Sequence, residues 1–460
     1  MKAFGSVGQD ISHYNSSDAY EGPPTIYTGC YCDTAYSAEI DADGPLFDLP
    51  GGVAHLAGGG GWRDNRQNYT SATDGASNGA YDAGQHSYYL FGEISLPLIG
   101  PQQDIAWIRR LVLSAAGRWE DYPGMAREAT PKLGLLYEPD RDFSFKLSWG
   151  KSFKAPTLYQ LGLPEQSHLI PASDYGIGTA SQSLLYLSGG NPDLKPETAT
   201  NLTAGLAFHP ARVPGLKIEA SYFRIHYRNR ILDALNSTSQ GIDDPAYASL
   251  VEYNPSAADV AQLFANSKGG IFNYTGNAID PTTVVAVENS LYLNVASQVI
   301  KGADFSVSYQ AHLRGGSMLG AQFAGTYLDS KQKLLSDLPY TQLSGTIFNP
   351  PKLKFRAGLT YTHGDASAAA FVNYTGSFLD NLNPPYTSAP ATATLDLDTR
   401  IPLFRRHDGR PGAVLSLIVN DVLNTKPPMI IPIDPTETPY DSTNYAPIGR
   451  MVGFGLSRSW

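Results

Sequence analysis

What this chain lacks narrows it first. It has no uninterrupted apolar run of about 18 residues or more, which excludes a helical membrane span. A span built of strands stays open, because its lipid-facing residues recur only at every second position. Cysteine is almost absent: Cys30 and Cys32 stand one residue apart in a loop-like stretch. A bridge at that spacing is strained, and a metal site needs further ligands that the neighbouring sequence does not supply. They read as loop thiols or a local disulfide, with pairing to a segment outside the chain as the remaining alternative. Basic residues are in the minority, 33 against 43 acidic, and the net charge of −10 argues against a nucleic-acid partner. It fits a polar lumen and acidic outer loops.

Catalytic signatures are missing too. No Gly-x-Ser-x-Gly element occurs, the nine histidines show no His-x-x-x-His spacing, there is no Cys-x-x-Cys, and no carboxylate pair stands out. Gly150-Lys151-Ser152 matches the end of a phosphate loop, but Phe145 stands where the first glycine is needed. No enzyme activity, cofactor or metal is expected. The opening Met1 to Asp10 has neither an apolar core nor a small-residue cleavage site, so no export signal is read there.

What is abundant is glycine (45), proline (33) and tyrosine (28), the composition of many short elements separated by tight turns. Phe143, Phe145, Leu147 and Trp149 share one parity and Ser144, Lys146 and Ser148 the other, which is a strand with one apolar face. The same alternation recurs from Tyr88 to the C-terminus and predicts about 15 antiparallel strands. Residues 1–43 are poorly patterned and read as a loop or strand remnant, with Phe4 to Tyr14 as one descending strand. Residues 44–460 read as a single all-β unit. Residues 64–84 read as the first long loop. A phase slip at Tyr222-Phe223 predicts a β-bulge, and residues 229–290 form the longest excursion, with a short helix around Ala257 to Ala265. With long loops on one side and short turns on the other, the strands alternate in direction. The product is an antiparallel, up-and-down transmembrane β-barrel.

Two motifs flank the first large loop. One is Ser152-Phe153-Lys154-Ala155-Pro156; the other is Asn191-Pro192-Asp193-Leu194-Lys195-Pro196-Glu197. Together, in order and joined to strands, they resemble the TonB-dependent outer-membrane receptors. Near the end, Val419 to Lys426 and Tyr445 to Arg450 resemble that family's approach to its last strand, and the chain closes on an aromatic, Trp460. The resemblance implies uptake of a scarce nutrient across the outer membrane of a Gram-negative bacterium. Siderophore-iron comes first, with a corrinoid, haem or an oligosaccharide as alternatives. It implies outer-membrane lipid, the barrel assembly machinery and a small-molecule or metal-chelate ligand as partners, with Trp460 as an assembly signal. It also implies a barrel of 22 strands preceded by a plug that contacts TonB. Measured against that, this chain reads as a plug-less C-terminal portion, reaching the TonB complex only through the missing plug. The competing readings are a passive or structural outer-membrane barrel without TonB coupling and a secreted soluble all-β protein.

For the motif residues the architectural reading outweighs a binding one. Pro156, Pro192 and Pro196 end ladder pairing at the rim, and Asn191 and Glu197 cap local turns. Tyr88, Tyr137, Tyr227, Tyr327 and Tyr361 suit interfacial girdles, whereas the loop tyrosines Tyr159, Tyr175, Tyr186, Tyr253 and Tyr274 are the candidates for stacking on a ligand. Arg110, Arg118, Lys146, Arg224, Lys354, Arg356, Asp396 and Asp398 are read as lumen-facing. Capture is expected on loops 153–197 and 229–290.

Overall fold

The structure, a computed structural model, describes every residue except 19–23, 234, 236–239, 244, 336–337, 383, 406–410, 432–437 and 459–460. Trp460 therefore lies outside the described residues. Period-2 alternation becomes strand along most of the chain. The first half holds β1 (Lys2–Asp18), β2 (Thr25–Leu49), β3 (Gly52–Thr73), β4 (Ala76–Ile99), β5 (Arg110–Tyr122), β6 (Ala126–Glu138), β7 (Phe143–Lys154), β8 (Gln166–Pro171), β9 (Ser183–Gly189), β10 (Glu197–Phe208) and β11 (Lys217–Leu232). The second holds β12 (Val251–Tyr253), β13 (Ile271–Asn273), β14 (Val284–Leu291), β15 (Leu293–His312), β16 (Ser317–Lys333), β17 (Thr341–Gln342), β18 (Leu353–His363), β19 (Ala366–Thr375), β20 (Phe378–Asp380), β21 (Thr387–Ala389), β22 (Thr392–Arg405), β23 (Pro411–Asn420) and β24 (Met451–Arg458).

Seventeen strands form one sheet. The two-residue β17 hangs on the end of β16, and the other sixteen follow one another antiparallel in chain order, β7 meeting β10, β11 meeting β15 and β19 meeting β22. This is the up-and-down barrel wall, one strand richer than the alternation suggests. No ladder joins β1 to β24 among the described residues. No helix is long and apolar enough to cross a membrane among them either.

Register carries apolar rows around the outer face. Tyr137, Phe145, Leu206, Ala220 and Phe305 are successive partners across five strands. The row continues as an aromatic band, Phe305 to Phe323 at 5.3 Å, Phe323 to Phe355 at 5.3 Å and Phe355 to Tyr374 at 4.6 Å between ring centres. Leu90, Leu133 and Leu359 on this surface are more than half exposed, at 62%, 53% and 59%. A belt of this kind is stable only against hydrocarbon.

Three expectations from the sequence change. Residues 64–84 are not a loop: β3 and β4 run on to a tight turn at Asp74-Gly75. A strand needs about 9–11 residues to cross a bilayer, so these strands, of 22 and 24 residues, project well beyond it. There both faces meet water, and the apolar parity that marks a strand disappears. For the same reason the weakly patterned N-terminus is in strand as β1 and the first part of β2, with β1 ascending towards the long-loop side. The bulge at Tyr222-Phe223 is absent, because the β10–β11 and β11–β15 ladders run unbroken through both residues and shift only between Tyr227 and Ile231. Instead Phe223, Ile225 and Tyr227 turn inward, and the Phe223 ring lies over Gly302, where a Cβ would come within 2.7 Å of it. Tyr227 consequently lines a lumen recess with Glu197, Arg230 and Gln298 rather than a girdle. Arg224 faces outward.

Candidate functional site

The two longest loops build one structure. After β7 the chain enters α1 (Leu158–Gly162), whose N-terminus is closed reciprocally: Gln160 N donates to Thr157 Oγ1 at 3.1 Å and Thr157 N to Gln160 Oε1 at 3.0 Å. The returning segment is tied to this helix by Gly190 N donating to Leu163 O and Asn191 N to Gln160 O, at 2.9 and 2.8 Å. Between them β8 and β9 form a hairpin. The second loop supplies α2 (Gln240–Asp243), α3 (Ala257–Asn266), β12, β13 and β14. β14 lies parallel to β9 and β13 parallel to β8, giving a five-stranded sheet drawn from both loops.

Its core is local. Leu169, Leu185, Leu187, Val284 and Val287 from the sheet pack with Val260 of α3, joined by Leu263, Phe264 and Ile271. The buried Glu288 accepts a hydrogen bond from Gly241 N at 2.8 Å, pinning α2 to the sheet. The motif residues anchor the cap to the wall. Asn191 Nδ2 donates to Tyr292 O at 2.9 Å, Lys195 N to Asn294 Oδ1 at 2.7 Å and Ile231 N to Glu197 Oε1 at 2.7 Å, while Lys154 reaches Glu197 at 3.6 Å. Asn191 Oδ1 also accepts from Asp193 N at 2.9 Å, Asn201 donates to Ser152 Oγ at 3.2 Å, and Pro156, Leu194 and Pro196 are buried.

Two aromatic groups result. On the sheet face away from α3, His168 stacks on Phe272 at 5.1 Å and Tyr274 at 6.2 Å, with Tyr186 edge-on at 6.0 Å. At the mouth, Tyr159 of α1 touches Tyr31 and Tyr69 at 5.9 Å each and Tyr292 at 6.3 Å, and Tyr14 and Tyr81 extend the cluster. Burial pushes the Tyr159 phenol up, so it remains a donor. Below the cluster the inner wall is a ladder of polar pairs: Tyr89 donates to Glu39 at 2.6 Å, Arg118 lies 4.1 Å over the Tyr89 ring and pairs with Glu120 at 2.8 Å, and Arg356 pairs with Asp396 at 3.7 Å. Of the five loop tyrosines, Tyr186 and Tyr274 meet in one group, Tyr159 belongs to the other, Tyr253 is exposed on β12 and Tyr175 sits in a 3-10 turn after β8. Tyr14, Tyr31, Tyr69 and Tyr81 were hidden in stretches without apolar parity. The even spacing Asn65, Gln67, Tyr69 on one strand face is the signal that marks them.

Cys30 and Cys32 are bridged on the outer face of β2, not in a loop. His13 lies opposite Cys30 in the β1–β2 ladder, within 4.8 Å of both sulfurs. Bonded to each other, these sulfurs offer a metal no thiolate.

His168 makes the cap sensitive to acid. Burial lowers its pKa, so the folded cap holds it neutral, with Ser188 Oγ 3.2 Å from its Nε2. A depressed histidine contributes stability that is present above the unfolded value, about 6.5, and lost as pH falls through the lowered one. Glu165, half-buried, is raised by that burial and works the other way, favouring the cap at low pH. Protection factors at the Leu169 and Leu185 amides, taken relative to the intrinsic exchange rate at each pH, should therefore fall on acidification below about pH 6.5. In His168→Phe that fall should vanish; the same fall in both proteins removes His168 as the cause.

A family model described as TonB dependent receptor-like, beta-barrel matches residues 3–406. The chain belongs to the TonB-dependent receptors. It is 23% identical over 295 residues to heme/hemopexin utilization protein C of Haemophilus influenzae (strain 86-028NP), covering 62% of this chain and 34% of that protein. Against the ferric enterobactin receptor of Pseudomonas aeruginosa it is 30% identical over 146 residues, 31% of this chain and 18% of that one. Among solved structures, a variant of the same Pseudomonas receptor in complex with enterobactin superposes with a TM-score of 0.62 at 15% identity, over 99% of this chain and 63% of that one. The siderophore receptor PirA from Acinetobacter baumannii gives 0.59 at 14% identity, with the same coverages of 99% and 63%. At such identity the superpositions establish the barrel fold. The chain spans about a third of the first curated relative, 34%, and 63% of the solved chains. Barrels of this family sit in the outer membrane, and its members are receptors and transporters.

Proposed function

We propose that the TonB-dependent receptor takes up iron as a siderophore chelate and that this chain supplies its wall and capture cap, coupling to TonB through a plug outside the chain. One observation carries the reading: loops a hundred residues apart are welded into a single sheet that presents an aromatic face beside a tyrosine-lined mouth. Tyr186 and Tyr274 are the proposed contacts, with Tyr159 at the entrance.

Charge narrows the ligand. Residues 155–196 and 233–292 together hold ten carboxylates and two lysines, with no arginine. An acidic mouth repels anions and draws neutral or cationic solutes. The chelate that suits it is an uncharged or cationic one of the ferric trihydroxamate kind rather than a tricatecholate, whose ferric complex is a trianion.

Fluorescence titration of the detergent-folded chain tests this. Ferric trihydroxamate should bind more tightly than ferric tricatecholate at low salt, with the gap narrowing as salt screens the cap, and Tyr274→Ala should weaken the tighter ligand. Tighter tricatecholate binding at low salt would defeat the charge argument. Binding of neither chelate, with steady conductance across planar bilayers, would favour the passive barrel instead.

A further inference from the structure

The outer face of β7, β10, β11, β15 and β16 carries a feature that uptake leaves unused. The ladders joining these strands are continuous through the positions concerned, so parity is fixed. Passing up the face from the apolar belt, Leu147 and Trp149 on β7 give way to Lys151. On β11 Tyr222 gives way to Arg224 and Arg228, on β15 Ala303 to Lys301, and on β16 Tyr327 to Asp329 and Lys331. All five cations share the belt's side of the sheet.

They are poorly compensated. Arg224 and Lys301 are direct register partners, an arrangement that costs stability unless a counter-charge intervenes. The one carboxylate among these positions, Asp329, pairs with Lys301 at 3.3 Å and also accepts from Gln342 at 3.0 Å. Among the described residues no hydrogen bond or ion pair reaches the side chain of Lys151, Arg224, Arg228 or Lys331. The contrast with the rest of the molecule is sharp: the chain carries net charge −10, and inside the barrel Arg118 and Arg356 each have a carboxylate. Further round the wall the outward positions at the same ends of β18, β19, β22 and β23 are Leu353, Tyr374, Ala393 and Val419, all uncharged. On the other side Arg66 of β3 and Arg127 of β6 also face outward, but each is matched by a carboxylate of the same face, Asp64 at 2.9 Å and Asp121 at 3.1 Å, so the cations left without a matching carboxylate fall in one arc. From Lys151 to Lys331 it crosses four strand spacings, about 19 Å, wide enough for more than one phosphate.

We propose that this arc binds the phosphate-bearing headgroup of a lipid in the leaflet around the extracellular half of the barrel. The belt directly below takes the acyl chains, so one amphiphile is held at both ends. Arg224 and Arg228 supply forked donors to phosphate oxygens, and Lys151, Lys301 and Lys331 supply point charges. The site rests on the membrane-barrel reading and not on the transported ligand.

The test uses the full chain folded into phosphatidylcholine vesicles doped with a diphosphorylated glucosamine-disaccharide lipid or with its dephosphorylated form. Lipid retained per protein after detergent extraction is counted by mass spectrometry. The phosphorylated lipid should be retained and the dephosphorylated one lost, and retention should drop about fivefold for each arginine removed in Arg224→Gln with Arg228→Gln. Heat-dependent mobility in detergent gels shows whether each protein has folded. Should that double variant not fold, Lys151→Gln with Lys331→Gln reads the two ends of the arc. Equal retention of both lipids, unchanged retention in the variants, or complete displacement by inorganic phosphate overturns the site. A chain that enters vesicles but shows no phosphate preference defeats this proposal alone. A chain that enters neither vesicle defeats the membrane reading with it.

Discussion

Arginine at Leu147 is expected to cost about 2–4 kcal/mol of refolding free energy in lipid vesicles, and arginine at Ser148 next to nothing. Leu147 pairs with Leu135 on one side and Ala204 on the other, in the middle of the outward apolar rows, and is 45% exposed. A guanidinium there has only hydrocarbon around it. Ser148 is one residue away but turned towards the lumen, beside Gly134 and Thr203, where water and neighbouring polar groups solvate a charge. The comparison isolates the face, because the two sites share strand and depth and are flanked by the same two strands. Urea titration of both variants in the same vesicles measures it, and equal losses would dissolve the assignment of inside and outside.

The second large effect belongs to the cap. Leu185→Ala removes a fully buried side chain from the cluster of Leu169, Leu187, Val260, Val284 and Val287, and a cavity of that kind costs about 2–5 kcal/mol. The small cap has little core to spare, so it should loosen while the wall stays folded. Limited proteolysis should then cut within residues 155–196 and 233–292, with the heat-dependent gel shift of the barrel preserved. If the wall melts together with the cap, the two are one cooperative unit and the cap is not separately stabilised.

The wall could be read from the sequence wherever lipid imposes a rule. Hydrocarbon tolerates only apolar side chains, so Phe143, Phe145, Leu147 and Trp149 announce both strand and face. Above the bilayer the rule lapses: Asn65, Gln67 and Tyr69 belong to strand as firmly as Leu147 does, yet nothing apolar alternates with them. Arg224 departs from the lumen-facing expectation for a related reason. Phe223 and Ile225 are apolar residues inside the lumen, and polarity alone suggested that the strand had slipped. The cap was legible as two long loops flanked by motifs, but its sheet was not. β12 and β13 are three residues each and find partners only in another part of the chain, a pairing that no local pattern encodes.

That pairing sets an order of assembly. Ser167 and Ser267, whose hydroxyls meet at 2.6 Å in the cap, are a hundred positions apart, and closing so long a span is slow and entropically costly unless its ends are already held near each other. The hairpins β7–β10 and β11–β15 hold them. A newly made chain thus completes its loop sheet only after these neighbouring strands have zipped, and maturation of the cap becomes a built-in report that the wall beneath it stands.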